Sequence, residues 1–166
     1  MLYYLYALLT APGVIVHELG HAVFCMLGRV KIYRLCLFRW GNPAGFVVHD
    51  EPKYFYQSIF ISYGPFIVNT LITLFCFSRV TPPFGRAEPW MYLWLGGTIG
   101  LHAIPSTGDA KTLLQTTNRR VWKNPLLLVG YPFILLLYIL NGLKHLHIDI
   151  LYVGALFWVS AVYLKG

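Results

Sequence analysis

Two histidines and a glutamate occur together near the start of the chain, in the sequence His17-Glu18-Leu19-Gly20-His21. On a helix, residues four positions apart share one face, so His17 and His21 can present two imidazoles to a single ion. Glu18 follows the first of these ligands, where its carboxylate can take a proton from a water molecule that the ion activates. The HExxH spacing therefore predicts a zinc (Zn2+) site with hydrolytic chemistry.

A third metal ligand is expected from Asp109, because a carboxylate beside two histidines leaves a fourth position for water. An unwound segment is expected just before it, around residues 105–108, where proline and glycine interrupt an apolar stretch. The same residues also fit a second structure. Ser106-Thr107-Gly108-Asp109 matches a capping box, with Ser106 as the N-cap of the next helix. Both roles of Asp109 remain open at this point.

The HExxH pattern lies within an apolar run that extends from Leu2 to Leu27. The whole chain is 57% hydrophobic and only 11% charged, which is too apolar for an ordinary soluble domain. We therefore predict an integral membrane protein. A charged residue near the centre of a bilayer costs about 2.5–3.5 kcal/mol on insertion scales, so Glu18 at that depth indicates a functional site.

Five apolar runs predict an all-α polytopic membrane protein with about five transmembrane helices in one domain, residues 1–166. The runs cover roughly residues 2–28, 55–77, a stretch from residue 90, 125–143 and 148–164. The first three would form a catalytic core at about residues 1–118, and the other two an addition at about 125–164. After the first run, mixed apolar and basic residues and a Gly-Asn-Pro turn predict a small membrane-associated β-hairpin.

The net charge of +7 does not indicate nucleic-acid binding, because the Lys and Arg residues separate the apolar runs instead of forming one stripe. With five spans, most of these residues fall on one side of the bilayer, and Arg79, Arg86 and Lys144 fall on the other. The positive-inside rule then predicts an outside N-terminus, a cytosolic C-terminus and an active site in the cytosolic half. The three cysteines have no CxxC spacing and predict no disulfide framework.

Three further features concern single residues in the apolar runs. Pro12-Gly13 predicts a kink just before the HExxH turn. Asn69 is expected to hydrogen-bond another helix, with a contact to substrate as the alternative. His102 could compete with Asp109 as a metal ligand, although it precedes Asp109 by about two helical turns.

These features together resemble the site-2 protease family of intramembrane zinc metalloproteases, whose core is three membrane helices with HExxH on the first. The similarity covers roughly Pro12 to Leu114. The matching motifs, in the family's order, are HELGH, Gly64-Pro65-Phe66-Ile67-Val68-Asn69 (like the family's GPxxN stretch), and His102-Ala103-Ile104-Pro105 followed by Asp109. The resemblance implies that His17, His21 and Asp109 are zinc ligands and that Glu18 is the catalytic base.

The resemblance also implies roles for residues around the metal. The segment from Gly45 to Asp50, which includes Val47, would form a strand that aligns an unfolded substrate. Asn69, His102 and Pro105 would contact the substrate or support the ligands.

The third motif departs from the family pattern at three points. His102 replaces an asparagine, the interval between Pro105 and Asp109 is one residue shorter, and Ala110 replaces a glycine. These changes bear on substrate contact and on the geometry of the third ligand.

The expected function is hydrolysis of peptide bonds in a membrane-spanning or membrane-proximal protein whose helix unwinds locally, within the lipid bilayer. A second hypothesis is a catalytically silent zinc-site membrane protein that binds or escorts partners. The altered third motif favours this hypothesis, and the intact Glu18 opposes it. Metal transport would require polar residues along a path across the bilayer, and Asn69 and His102 alone are too few.

Overall fold

The structure, a computed structural model, describes residues 2–81, 85–122 and 125–164. Its described part is mostly helical, with one antiparallel sheet of two strands after the second helix. The helices are α1 (Leu2–Leu9), α2 (Ala11–Leu27), α3 (Phe55–Ser78), α4 (Ala87–Leu101), α5 (Thr107–Val121), α6 (Tyr131–Leu143) and α7 (Ile148–Tyr163). The strands are β1 (Ile32–Cys36) and β2 (Phe46–His49). The predicted helical class and the predicted hairpin are confirmed.

The predicted count of about five transmembrane helices is wrong. Among the described residues, α3 is the one helix that is long and apolar enough by itself to cross a bilayer. The pair Leu127–Leu143 and Ile148–Tyr163 is bent by 101° and counts as a second span only if its two parts form one broken crossing. Apolar composition therefore overestimated the number of helices that can each cross a bilayer.

Breaks within the apolar runs explain the difference. The first run is divided at Thr10, and α2 begins at Ala11 with Pro12 in its first turn, so the proline starts a helix instead of kinking one. The third run ends at Leu101, which leaves α4 with 15 residues. At 1.5 Å per residue this is about 22 Å, short of the roughly 30 Å of a hydrocarbon core.

Small residues bring α2 against α3. A Cβ added to Gly20 would lie 2.7 Å from the Cα of Pro65, and one added to Gly64 would lie 2.8 Å from the carbonyl oxygen of Gly20. At the C-terminal end of α2, the Gln57 amide donates to the carbonyl of Gly28 at 2.8 Å. The two helices are therefore antiparallel, and they pack closely at the glycine of the HExxH turn.

Helices α4 and α7 pack on the C-terminal half of α3. Thr73 donates to the carbonyl of Gly96 at 3.3 Å, and the hydroxyls of Thr70 and Tyr152 are 2.6 Å apart. Phe77 is buried in the same region, in a cluster that includes residues of α4 and α7.

Helices α5 and α6 pack on the N-terminal half of α3. Their buried residues form one core against the aromatic side chains of α3, and the Tyr63 hydroxyl donates to the carbonyl of Phe133 at 2.6 Å. The members of that core from α5 and α6 are Ala110, Leu113, Ile134 and Leu137. Helices α5 and α6 thus contact the N-terminal half of α3, and helices α4 and α7 contact its C-terminal half.

The breaks between these helix pairs contact each other. The chain unwinds between α4 and α5 after His102, and it turns between α6 and α7 at Lys144–Leu146. Asn141 donates to the carbonyl of Pro105, and Lys144 donates to the carbonyl of Ile104, each at 3.0 Å. The two irregular segments therefore support each other beside the HExxH turn.

The contact of α2 with α3 gives the first prediction. Replacing Gly20 with Ala should lower the free energy of unfolding by about 1–3 kcal/mol, because the new methyl group meets backbone of Pro65 that cannot move cheaply. Thermal unfolding in detergent measures this. Gly97→Ala in α4 is the matched control, since nothing lies within 4 Å of its added Cβ. Equal stability of the two variants would contradict the packing described.

Candidate metal centre

The two histidines of the HExxH turn are oriented by backbone carbonyls. Nδ1 of His17 lies 2.7 Å from the carbonyl oxygen of His102, and Nδ1 of His21 lies 2.8 Å from that of Ile61. A carbonyl can only accept, so each Nδ1 carries a proton and donates it, which leaves Nε2 as the nitrogen that can bind a metal when the ring is neutral. Metal-binding histidines are typically held in this way by their second nitrogen.

Asp109 completes a group of three. Its Oδ1 lies 3.2 Å from Nε2 of His21, and its Oδ2 lies 3.8 Å from Nε2 of His17. One ligand atom from each of the three residues lies within 4.8 Å of the others. Tetrahedral ligands about 2.1 Å from zinc are about 3.4 Å apart, so two imidazoles and a carboxylate at these separations fit a zinc ion.

The predicted capping box is also present at Asp109. The Ser106 backbone N–H and hydroxyl each donate to Oδ2 of Asp109 at 2.7 Å, and the Asp109 N–H donates to the Ser106 hydroxyl at 3.2 Å. The capping box therefore forms while the same carboxylate lies beside the two histidines. The cap anchors one carboxylate oxygen, and the other faces His21.

Glu18 lies beside the histidines and beneath the hairpin, with only 8% of its surface exposed. A Cβ added to Gly45 would lie 2.6 Å from Cγ and 2.9 Å from Oε1 of Glu18. The lack of a side chain at residue 45 thus allows the hairpin to lie directly on the Glu18 side chain.

A cavity of about 660 Å³ connects these groups. Its wall includes the three candidate ligands, Glu18, and the strand residues Phe46 and Val47. One edge of β2 pairs with β1, and within the described sheet its other edge is unpaired. The cavity therefore brings together a candidate metal centre, a carboxylate and residues of β2.

Asn69 does not reach this cavity. It is fully buried, and its amide donates to the carbonyl of Ile99 at 3.0 Å and to that of Gly13 at 3.4 Å. The predicted hydrogen bond to another helix is confirmed. The structure gives no position for a substrate contact through Asn69.

His102 lines the cavity, but it stays outside the group of three ligands. Its Nδ1 donates to the carbonyl of Thr98 at 3.0 Å, while its own carbonyl accepts from His17. Pro105 is buried, and its carbonyl accepts from Asn141. His102 and Pro105 therefore support the site through their backbone.

Asn141 and Lys144 were not among the residues predicted for the site. Asn141 carried a signal, because an amide inside an apolar run needs a hydrogen-bond partner. Lys144 was interpreted as a topology signal between two spans, yet it contacts Ile104 and lines the cavity.

Searches against protein-family models, curated proteins and solved structures find no match to this chain. The resemblance to the site-2 protease family therefore depends on the sequence motifs quoted above.

Loss of the cap should weaken metal binding. Ser106→Ala removes the hydroxyl that bonds to Asp109, and we expect about a tenfold to hundredfold lower zinc affinity, the usual effect of removing a group that orients a ligand. Competition with a fluorescent chelator measures the affinity. The neighbouring exposed Thr107→Ala is the control. Unchanged affinity in Ser106→Ala would show that the cap does not position a ligand.

Proposed function

We propose that this chain is an intramembrane zinc metalloprotease that hydrolyses peptide bonds of membrane-spanning or membrane-proximal proteins. One observation carries the proposal: His17, His21 and Asp109 converge within 4.8 Å, on the wall of a cavity that also contains Glu18. Two imidazoles, a carboxylate ligand and a second carboxylate in one cavity are the groups that hydrolysis by a zinc peptidase requires.

The roles of the two carboxylates follow from their contacts. A bound zinc ion would supply Lewis acidity, polarising a carbonyl and acidifying water. Asp109 is held by Ser106 and directed at the histidines. Glu18 is then the carboxylate left to accept a proton from the attacking water and to deliver it to the leaving amine.

The hairpin suits an extended substrate. The backbone carbonyls of a helix are bonded within the helix, so a membrane-spanning substrate must unwind locally before one of them can be attacked. The unpaired edge of β2 offers backbone donors and acceptors to such a segment, and Gly45 brings the hairpin next to Glu18. This supports a protein substrate over a small molecule.

The membrane arrangement is proposed as four crossings: α1 with α2, α3 alone, α4 with α5, and α6 with α7. The last two would be broken near the level of the site. Irregular backbone at depth is tolerated when it is buried in protein or lines a cavity, and both breaks meet at this cavity. Large apolar side chains on the outer faces of α6 and α7, such as Leu135, Leu151 and Trp158, are suited to lipid.

Four crossings revise the expected topology. The basic hairpin and the basic end of α5 fall on one side, which the positive-inside rule assigns to the cytosol. The N-terminus stays outside and the site stays accessible from the cytosol. The end of α7 then lies outside, in place of the cytosolic C-terminus expected from five spans. Lys144 belongs to neither side, because it lies at the level of the site.

Proteolysis depends on Glu18 in this proposal. In Glu18→Gln we expect cleavage of a membrane-protein substrate to fall about 10²–10⁴-fold, the usual contribution of a general base, with bound zinc retained. Cleavage is followed by electrophoresis in reconstituted vesicles, and zinc by elemental analysis. Glu88→Gln, an exposed glutamate in the first turn of α4, is the control.

Two results would oppose the proposal. Full cleavage by Glu18→Gln with zinc bound would exclude Glu18 as the base. Stoichiometric zinc without cleavage of any tested membrane protein would favour the catalytically silent binding or escort protein.

The contact of Gly45 with Glu18 gives a further prediction. Gly45→Ala should lower kcat/KM about tenfold to a hundredfold, because the methyl group displaces the Glu18 carboxylate while the ligands stay in place. Gly41→Ala in the same hairpin is the control, since its added Cβ meets nothing closer than 4.0 Å. Equal kcat/KM for the two variants, with equal zinc content, would contradict this placement of the hairpin.

A further inference from the structure

Lys144 lies in the turn between α6 and α7, where its half-buried side chain lines the cavity that contains the candidate metal centre. Among the described residues of the cavity wall, it is the one lysine or arginine. Its ammonium group donates to the carbonyl of Ile104 at 3.0 Å. The contact fixes the position of the amine but leaves its charge unneutralised, because a carbonyl is a neutral acceptor.

No described carboxylate lies within 4.0 Å of the Lys144 amine. The two acidic residues with electrostatic influence on it have other contacts. The Asp109 carboxylate accepts from the Ser106 hydroxyl and faces His21. Asp149 accepts from the backbone N–H of Ile150 at the start of α7. An ammonium has three donors, so two remain that can bond to water or to a ligand in the cavity.

The charges of the cavity favour an anion as that ligand. The carboxylates of Asp109 and Glu18 would together balance the two positive charges of a bound zinc ion. His17 and His21 would bind the ion through neutral imidazoles, and Lys144 would be the one lysine or arginine on the described cavity wall without a carboxylate of that wall as its partner. A partly buried cation without a counter-charge is stabilised when an anionic group binds beside it.

We propose that Lys144 forms an anion subsite in the catalytic cavity and binds an acidic side chain of the substrate near the scissile bond. The inference rests on the proposed function and deepens it, since it names a substrate class: extended segments with Asp or Glu close to the cleaved peptide bond. Lys144 is then a specificity-determining residue contributed by the broken helix pair α6 and α7, outside the three-helix core.

A different role for Lys144 would produce different measurements. If the amine only holds the Ile104 carbonyl, Lys144→Met should disturb the break before Ser106 and reduce zinc binding, with the same loss for every substrate. An anion subsite instead predicts a loss confined to acidic peptides, with zinc retained.

Peptide binding tests the proposal independently of cleavage. The protein is prepared in detergent as Glu18→Gln with zinc added. Fluorescein-labelled ten-residue peptides of Ala, Leu, Val and Gly carry Asp or Asn at each interior position in turn, and anisotropy gives the affinities. We expect at least one position where Asp binds about tenfold to a hundredfold more tightly than Asn, as for a hydrogen bond to a charged group.

Lysine variants assign the preference to a residue. Lys144→Met should abolish the Asp preference and Lys144→Arg should keep most of it. Lys53→Met, which removes an exposed lysine outside the cavity wall, should leave it unchanged. Zinc content is measured for each variant.

Several outcomes would overturn the subsite. Equal affinity for Asp and Asn at every position would exclude the subsite before any lysine variant is made. An Asp preference that survives Lys144→Met would also exclude it. Loss of zinc in Lys144→Met would assign the residue to positioning. Failure of the protein to cleave any substrate would instead count against the proposed function, because the affinities do not depend on cleavage.

Discussion

The arrangement of this protein depends on how the unwound backbone between α4 and α5 satisfies its polar groups. A buried carbonyl or N–H without a partner costs about as much as a lost hydrogen bond. Four polar backbone groups of the segment have a side-chain partner, three from elsewhere in the chain and one from the helix cap. The pairs are the His102 carbonyl with His17, the Ile104 carbonyl with Lys144, the Pro105 carbonyl with Asn141, and the Ser106 N–H with Asp109. The same bonds that make the break tolerable orient a histidine and bring a carboxylate to it.

Close packing at glycine residues allows the helices and the hairpin to meet around the site. Gly20 and Gly64 allow the HExxH turn to lie directly on α3, which is how the Ile61 carbonyl reaches His21. Gly45 does the same for the hairpin above Glu18. Larger side chains at these glycines would separate α2 from α3 and the hairpin from Glu18. The cavity between them is lined by two carboxylates and by Lys144.

The parts of the site that could be predicted were local in sequence. His17, Glu18 and His21 follow from one helical turn, and the Ser106 cap from four residues. The prediction of Asp109 as a ligand required the assumption that the chain unwinds just before it. The parts that could not be predicted are interactions between distant residues, such as Asn141 with the carbonyl of Pro105, 36 positions away. Hydropathy also recorded apolar stretches without recording where backbone breaks divide them, so the helices are shorter than the runs.

The most direct test of the metal centre is the zinc K-edge absorption spectrum of the purified protein, which reports the ligands of the ion without reference to activity. Two imidazoles at about 2.0–2.1 Å and oxygen at about 2.0–2.2 Å, with no sulfur, are the shell that His17, His21 and Asp109 predict. The imidazole signal should weaken in His21→Ala. A spectrum with sulfur at about 2.3 Å, which would indicate cysteine ligands, or a protein that retains no zinc after dialysis against excess metal, would contradict the site described here.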